Sequence, residues 1–227
     1  MSEITLGIIG GGQLGSMLSI AAKKLNIKIV IYSDDKDAPA QHFCNEFIFA
    51  EYGNKEKILD FAQTVNVITF EFENIPFNTL NDLNKLRTVL PKPSVNRLIQ
   101  HRIAEKDFVN KLNIRTTRYS LVKNITDLEA LGDFLPGILK TTTMGYDGKG
   151  QHPIKNLEQI SSLSIDFSNE YILEKLVKLK KEISVIITRF GNNKYEIYEP
   201  VENTHEDQIL KYSKIPADLS EKLFSQS

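Results

Sequence analysis

The 227 residues carry a formal net charge of −1, with 41% apolar and 25% charged side chains. That is the balance of an ordinary globular chain, long enough for one large domain or two modest ones. A near-neutral chain has no global field to hold nucleic acid or an anionic membrane, so the expected partners are small molecules, with no nucleic acid and no membrane.

Cys44, the only cysteine, excludes an intrachain disulfide and a cysteine-based zinc site. Its apolar flanks, Phe43 and Phe47, suit a buried, inert thiol. No apolar run approaches the roughly 18 residues of a membrane span. The first residues lack the basic start of a secretory leader, so the expected location is the cytoplasm.

In chain order, residues 6–9 read as a short strand. Gly10-Gly11-Gly12-Gln13-Leu14-Gly15 forms a turn, and Met17, Leu18, Ala21, Ala22 and Leu25 recur at helical spacing. Residues 27–32 form a second strand ending at Ser33-Asp34-Asp35, which completes a βαβ unit and implies a parallel sheet. A short strand at 48–49, a helix face at Ile58, Leu59 and Ala62, a strand over 67–70 and a helix marked by Leu80, Leu83 and Leu86 extend the α/β pattern. Pro91-Lys92-Pro93 interrupts both helix and sheet and reads as a boundary. Ser94 is placed to cap a helix carrying Val95, Leu98 and Ile99, and a second helix covers 102–112.

Beyond Asn113 the pattern shifts to strands at 118–121, 137–141, 171–173, 183–189, 194–198 and 208–212. A helix is expected near 157–163 and a short one over 217–224. Local turns such as Gly191-Asn192-Asn193 make this half α+β.

Gly10-x-Gly12-x-x-Gly15 followed by Asp34 fits a dinucleotide fingerprint, in which bare backbone and a helix N-terminus receive an anion. The same glycines serve a turn that holds a phosphate-bearing substrate, or a tight turn alone, and all three readings stay open on this segment. The stronger signal is the run 138–151. A strand delivers Lys140, and a glycine-rich polar loop follows, whose N–H groups can cradle phosphates while the lysine supplies a point charge. It is not a Walker A loop, because no Gly-Lys-Ser/Thr opens a helix. Glu174-Lys175-Leu176-Val177 leaves a strand and can offer backbone groups to an adenine edge, with Glu182 close by to accept from ribose hydroxyls.

Taken together, Lys140, the Gly145-Tyr146-Asp147-Gly148-Lys149-Gly150-Gln151 loop, the Glu174-x-x-Val177 hinge and Glu182 resemble the ATP-grasp superfamily. The Gly10–Gly15 turn and Phe70-Glu71-Phe72-Glu73-Asn74-Ile75-Pro76 are similar to the 5-(carboxyamino)imidazole ribonucleotide synthase family within it, over about residues 4–216. Biotin carboxylases and formate-dependent glycinamide ribonucleotide transformylases share the architecture.

The resemblance implies a Rossmann-like pre-ATP-grasp substrate domain at 1–92. An α+β ATP-grasp domain lacking its last part is implied at 93–227, with a lid subdomain over about 115–178. It implies ATP contacts from Arg97, Lys140, Gly145, Tyr146, Asp147, Gly148, Lys149, Gly150, Gln151, Glu174, Lys175, Leu176, Val177, Glu182 and His205. Catalytic roles fall to Lys140, Tyr146 and Asp147, and substrate contacts to Gln13, Glu73 and Asp147.

The implied reaction is ATP-dependent carboxylation of aminoimidazole ribonucleotide by bicarbonate through carboxyphosphate, in purine synthesis. No metal ligand is assigned within the chain. The family's Mg²⁺ ligands are expected beyond residue 227, so the chain alone is expected to be inactive, with a homodimer or a separate C-terminal chain as partner. A nicotinamide-binding oxidoreductase domain and a non-catalytic nucleotide-binding remnant are the alternatives.

Overall fold

The computed structural model describes residues 4–145, 150–191, 194–206 and 209–225. Two compact units divide the chain, Met1–Thr116 and Thr117–Ser227.

The first unit is a parallel five-stranded sheet made of β1 (Thr5–Ile9), β2 (Lys28–Ser33), β3 (Glu46–Phe49), β4 (Val67–Phe70) and β5 (Thr88–Val89). Its spatial order is β3-β2-β1-β4-β5. Helices α1 (Gln13–Lys24), α2 (Lys55–Thr64) and α3 (Phe77–Leu86) make the crossovers.

Because side chains alternate along a strand, neighbouring residues feed two separate cores. Ile9, Val30 and Tyr32 pack with Ile58, Phe61, Leu80 and Leu83 of α2 and α3. Ile8, Ile29 and Ile31 pack with Ala22 of α1 and with Ala40. Asn54 caps α2 by accepting from the Lys57 N–H at 3.1 Å.

α1 departs from its sequence reading. Its buried face is Gly15, Ser16, Ser19 and Ala22, while Leu14, Met17, Ile20 and Leu25 are exposed. Small side chains let the helix axis approach the sheet, and the Ser19 hydroxyl satisfies itself on the Gly15 carbonyl at 2.7 Å.

Helices α4 (Pro93–Ile99) and α5 (Arg102–Lys111) follow, and both fall within the first unit. Pro93, at the first helical position, starts α4 in place of a Ser94 cap, its fixed φ being suited to that position.

The second unit begins with an antiparallel sheet ordered β6-β9-β7-β8, from β6 (Tyr119–Val122), β7 (Gly137–Thr141), β8 (Gln151–Ile154) and β9 (Tyr171–Lys175). The short helix α6 (Ile125–Glu129) and 3₁₀ turns at Gly132–Phe134 and Leu157–Ser162 cover it. Its core joins Val122, Leu128, Phe134, Leu139, Ile154, Ile160, Tyr171 and Leu173.

Beyond it, the expected strand over 183–189 is two strands, β10 (Glu182–Ser184) and β11 (Ile187–Arg189). β12 (Tyr195–Ile197), β13 (Val201–Glu206), β14 (Ile209–Lys214) and α7 (Glu221–Phe224) complete the unit. β10, β13 and β14 form one antiparallel sheet, and β11 and β12 form a ribbon.

Candidate functional site

In an open α/β sheet, the crevice for ligands lies outside the strand carboxyl ends where the strand order reverses. Here that point is between β1 and β4, which pair with Ile9 opposite Phe70. The residues that leave those two ends are Gly10 and Glu71, and they meet.

The Glu71 carboxylate accepts from the Gly12 N–H at 2.8 Å. Gly10 has φ +97, and a Cβ built there would lie 2.6 Å from Glu71 Oε1. The glycines therefore make room for an internal carboxylate at the start of α1, a helix with no side-chain cap of its own. A negative group suits a helix N-terminus electrostatically.

This geometry argues against the dinucleotide reading. A pyrophosphate at the turn would meet a carboxylate already bonded to its N–H. Asp34, which that reading assigns to a ribose, lies instead close enough to the Tyr52 phenol for its charge to help push that group up.

Glu71 was not singled out as a site residue by the sequence reading, which chose its neighbour Glu73. Glu73 is exposed, and its carbonyl accepts from the Gln100 amide at 2.6 Å. Gln13 is exposed at the first position of α1. Arg97 lies in α4 of the first unit, with its guanidinium 4.8 Å from the centre of the Phe77 ring.

In the second unit, Lys140 on β7 and Glu174 on β9 face each other across the sheet. Lys140 Nζ lies 2.8 Å from Glu174 Oε2, with the two side chains only 18% and 11% exposed. The pairing register explains the meeting: Lys140 is opposite Ile172 and Ile138 is opposite Glu174, so the two charged residues are diagonal neighbours on one face.

β7 and β8 form a hairpin with Lys140 opposite Gln151, so the glycine-rich loop is that hairpin's tip. Thr142 anchors its start through its N–H to the Glu170 carbonyl at 3.0 Å. Gly150 closes its end at φ +70, where a Cβ would press on Thr141. Tyr146, Asp147, Gly148 and Lys149 lie outside the described residues; Gly145 and Gln151 lie within them.

The segment after β9 is partly engaged. The Leu176 N–H donates to the Pro136 carbonyl at 2.9 Å, and Lys175 Nζ to the Asp133 carbonyl at 2.7 Å, while Val177 is exposed.

Glu182 and His205 come together on β10 and β13, with His205 Nδ1 3.3 Å from Glu182 Oε1. His205 sits inside a strand that the sequence reading did not foresee, one residue past a register shift between Thr204 and His205.

Cys44 is half-buried, and its thiol donates to the Gln41 carbonyl at 3.3 Å. Burial pushes the thiol above its usual range, which disfavours the thiolate. Among the described residues no group of three His, Cys, Asp or Glu side chains gathers to hold a metal ion. No helix among them is long and apolar enough to cross a membrane.

A ribonucleotide synthetase preATP-grasp domain family matches residues 3–100, and the ATP-grasp domain family matches residues 107–227. An N5-carboxyaminoimidazole ribonucleotide synthase of Brucella melitensis is 37% identical over 223 residues, spanning 95% of this chain and 61% of that protein. The crystal structure of an ADP complex of an N5-carboxyaminoimidazole ribonucleotide synthetase is similar with TM-score 0.90 at 34% identity, over 100% of this chain and 62% of the other. The Aspergillus clavatus carboxyaminoimidazole ribonucleotide synthase complexed with ATP gives TM-score 0.88 at 26% identity, over 99% and 60%. The chain thus spans about three-fifths of the length of the relatives it matches. With a preATP-grasp domain ahead of the matched second half, the chain belongs to the ATP-grasp family.

Proposed function

We propose that the chain is the ATP-binding part of a ligase that carboxylates 5-aminoimidazole ribonucleotide in purine synthesis. In the first step a bicarbonate oxygen attacks the γ-phosphorus of ATP, releasing ADP and forming carboxyphosphate. In the second, the exocyclic amine attacks the carboxyphosphate carbon. Phosphate leaves, the amine loses a proton, and N5-carboxyaminoimidazole ribonucleotide results.

The observation that carries this reading is the buried Lys140–Glu174 pair at the base of the glycine-rich hairpin, in a chain of the ATP-grasp family. A lysine held in place and mostly buried is positioned for phosphate binding, since positioning and charge neutralisation supply most of the catalysis in phosphoryl transfer.

Lys140, with Tyr146 and Asp147, forms the catalytic set. Arg97, Gly145–Gln151, Glu174, Lys175, Leu176, Val177, Glu182 and His205 complete the nucleotide contacts. On the substrate side stand Gln13, Glu73 and Asp147, joined by Glu71. Its carboxylate beside the glycine turn suits hydrogen-bond donors, namely ribose hydroxyls or an amine, better than a phosphate.

The first domain, 1–92, takes the ribonucleotide, and 93–227 takes ATP, with the lid at about 115–178 closing over carboxyphosphate to exclude water. Magnesium would supply further neutralisation of the phosphates. Among the described residues no group of three His, Cys, Asp or Glu side chains fits it. The location is the cytoplasm, and the partner is a second copy or a C-terminal chain.

Calorimetric titration with ATP tests the reading directly. The chain is expected to bind ATP, and Lys140→Met to lose at least about tenfold in affinity. A folded Lys140→Met protein with unchanged affinity would overturn it. For the reaction itself, ADP release is measured with and without aminoimidazole ribonucleotide, the chain being supplied with the part of the relatives that it does not span.

A further inference from the structure

The segment that leaves β4, from Glu71 to Pro76, carries both carboxylates assigned to the substrate side and lies outside any strand. It is fastened at its two ends. The Glu71 carboxylate accepts from the Gly12 N–H at 2.8 Å, and Ile75 is completely buried in the core with Leu80 and Val89. Phe72 and Glu73, between these points, are exposed. The ends alone would not fix the peptide units between them.

The middle of the segment is held from α4. Gln100 Nε2 donates to the Glu73 carbonyl at 2.6 Å and to the Ile75 carbonyl at 2.7 Å. A side-chain amide nitrogen has two hydrogens, so this one spends its whole donor capacity on two carbonyls of one loop. Asn96, four residues earlier and therefore on the same helix face, donates to the Ile75 carbonyl at 3.3 Å. Asn96 is completely buried, and its Oδ1 has no hydrogen-bond partner among the described residues. An orphaned buried acceptor costs stability that an apolar side chain would not. What this amide contributes is its bond to the loop. The base is firm, since Pro93 and Asn96 are buried and the Gln100 N–H closes the last turn of α4 on the Asn96 carbonyl at 3.0 Å.

We propose that Gln100 is a positioning residue for the ribonucleotide. By fixing the Glu73 and Ile75 carbonyls it sets the backbone that carries Glu71 and Glu73 before the substrate arrives, so that binding does not have to order the loop. This role, which rests on the reading of Glu71 and Glu73 as substrate contacts, is exerted through the loop and not by contact with the ligand.

Two variants test it. Gln100→Met keeps the length of the side chain and Gln100→Glu its shape, and at neutral pH neither can donate to a carbonyl. Amide hydrogen exchange over 72–75 is compared by mass spectrometry with that of the parent 227-residue chain, folding being checked by circular dichroism. In both variants exchange there is expected to quicken by roughly tenfold, with β1 and β4 exchanging as in the parent. In calorimetric titration, Gln100→Met is expected to bind aminoimidazole ribonucleotide roughly tenfold more weakly and ATP as the parent does. With the part of the relatives that the chain does not span supplied, KM for the ribonucleotide should rise in Gln100→Met while kcat holds. Parental exchange in either variant overturns the proposal. So does a quickened loop that binds the ribonucleotide as tightly as before, an equal loss for ATP, or a fall in kcat with KM unchanged. A parent chain that binds no ribonucleotide overturns the substrate reading and this role with it; failure of Gln100 alone shows instead as parent and variant binding equally.

Discussion

Lys140 and Glu174 are 34 residues apart in sequence and 2.8 Å apart in space, in a sheet where each is mostly buried. A pair so placed is costly to break from one side, because the remaining charge keeps its desolvation cost and loses this ion pair. Lys140→Met is therefore expected to destabilise the second unit by about 3 kcal/mol, measured as a lower urea midpoint with unchanged slope. Adding Glu174→Gln removes the buried charge that faced Lys140, so the double variant should recover part of that stability. It should not recover ATP affinity, and comparison with Glu174→Gln alone separates the lysine's part in binding from that of Glu174. A double variant that binds ATP like the parent would refute the assignment of Lys140 to the phosphates.

Glu71 supports a second prediction through the glycine turn. Gly10→Ala must place a side chain at φ +97 and within 2.6 Å of Glu71 Oε1, so a loss of about 2 kcal/mol is expected. Glu71→Ala removes the acceptor of the Gly12 N–H and should cost about 1.5–3 kcal/mol, whereas Glu71→Gln keeps an oxygen there and should cost less. In the assembled enzyme, Glu71→Gln is expected to raise KM for aminoimidazole ribonucleotide while KM for ATP stays put. A shift in KM for ATP alone would place Glu71 on the wrong ligand.

These two relationships also show where a one-dimensional reading stops. The β1–α1–β2 unit is legible because its signals are local: an apolar run, three glycines, helical spacing and a second run. Lys140 on its strand and the glycine-rich run after it are legible for the same reason, but the pairing of β7 with β8 into a hairpin is not, because a long polar run argues against one. Glu71 is not, because its role depends on β4 lying beside β1, a consequence of the β3-β2-β1-β4-β5 order rather than of any motif around residue 71.

The buried face of α1 is hidden because serines and glycine, not Leu14 and Met17, pack on the sheet. β13 escapes because Val201-Glu202-Asn203-Thr204-His205-Glu206 has no apolar alternation to announce a strand. Its partners on β10 and β14 define it.

The first core offers a test that involves no ligand. A Cβ on Gly7 would fall 2.6 Å from the Phe61 ring, which is completely buried between α2 and the sheet. Gly7→Ala should therefore overpack the core and cost about 1–3 kcal/mol. Phe61→Leu, costly alone through lost contacts, should relieve the clash, so the double variant is expected to be more stable than the sum of the single losses predicts. Strict additivity in thermal or urea melts would mean that the two positions do not touch.

Two tyrosines predict the alkaline limit of stability. Burial is the main cause that pushes the Tyr32 phenol up to about 12, with the charges of Asp34 and Glu51 adding to it. Burial and the Asp34 carboxylate push Tyr52 up as well. In the unfolded chain both phenols lose their protons near pH 10. Below that pH both states are protonated and the stabilisation is fully present. Between about pH 10 and 12 the folded state holds protons that the unfolded state has released, so stability falls as pH rises, by about 1.4 kcal/mol per tyrosine per pH unit. Tyr52→Phe removes one of the two groups. In urea melts between pH 9.5 and 11.5, its stability should decline less steeply than the parent's, and parallel curves for the two proteins would refute the coupling of Tyr52 ionisation to unfolding.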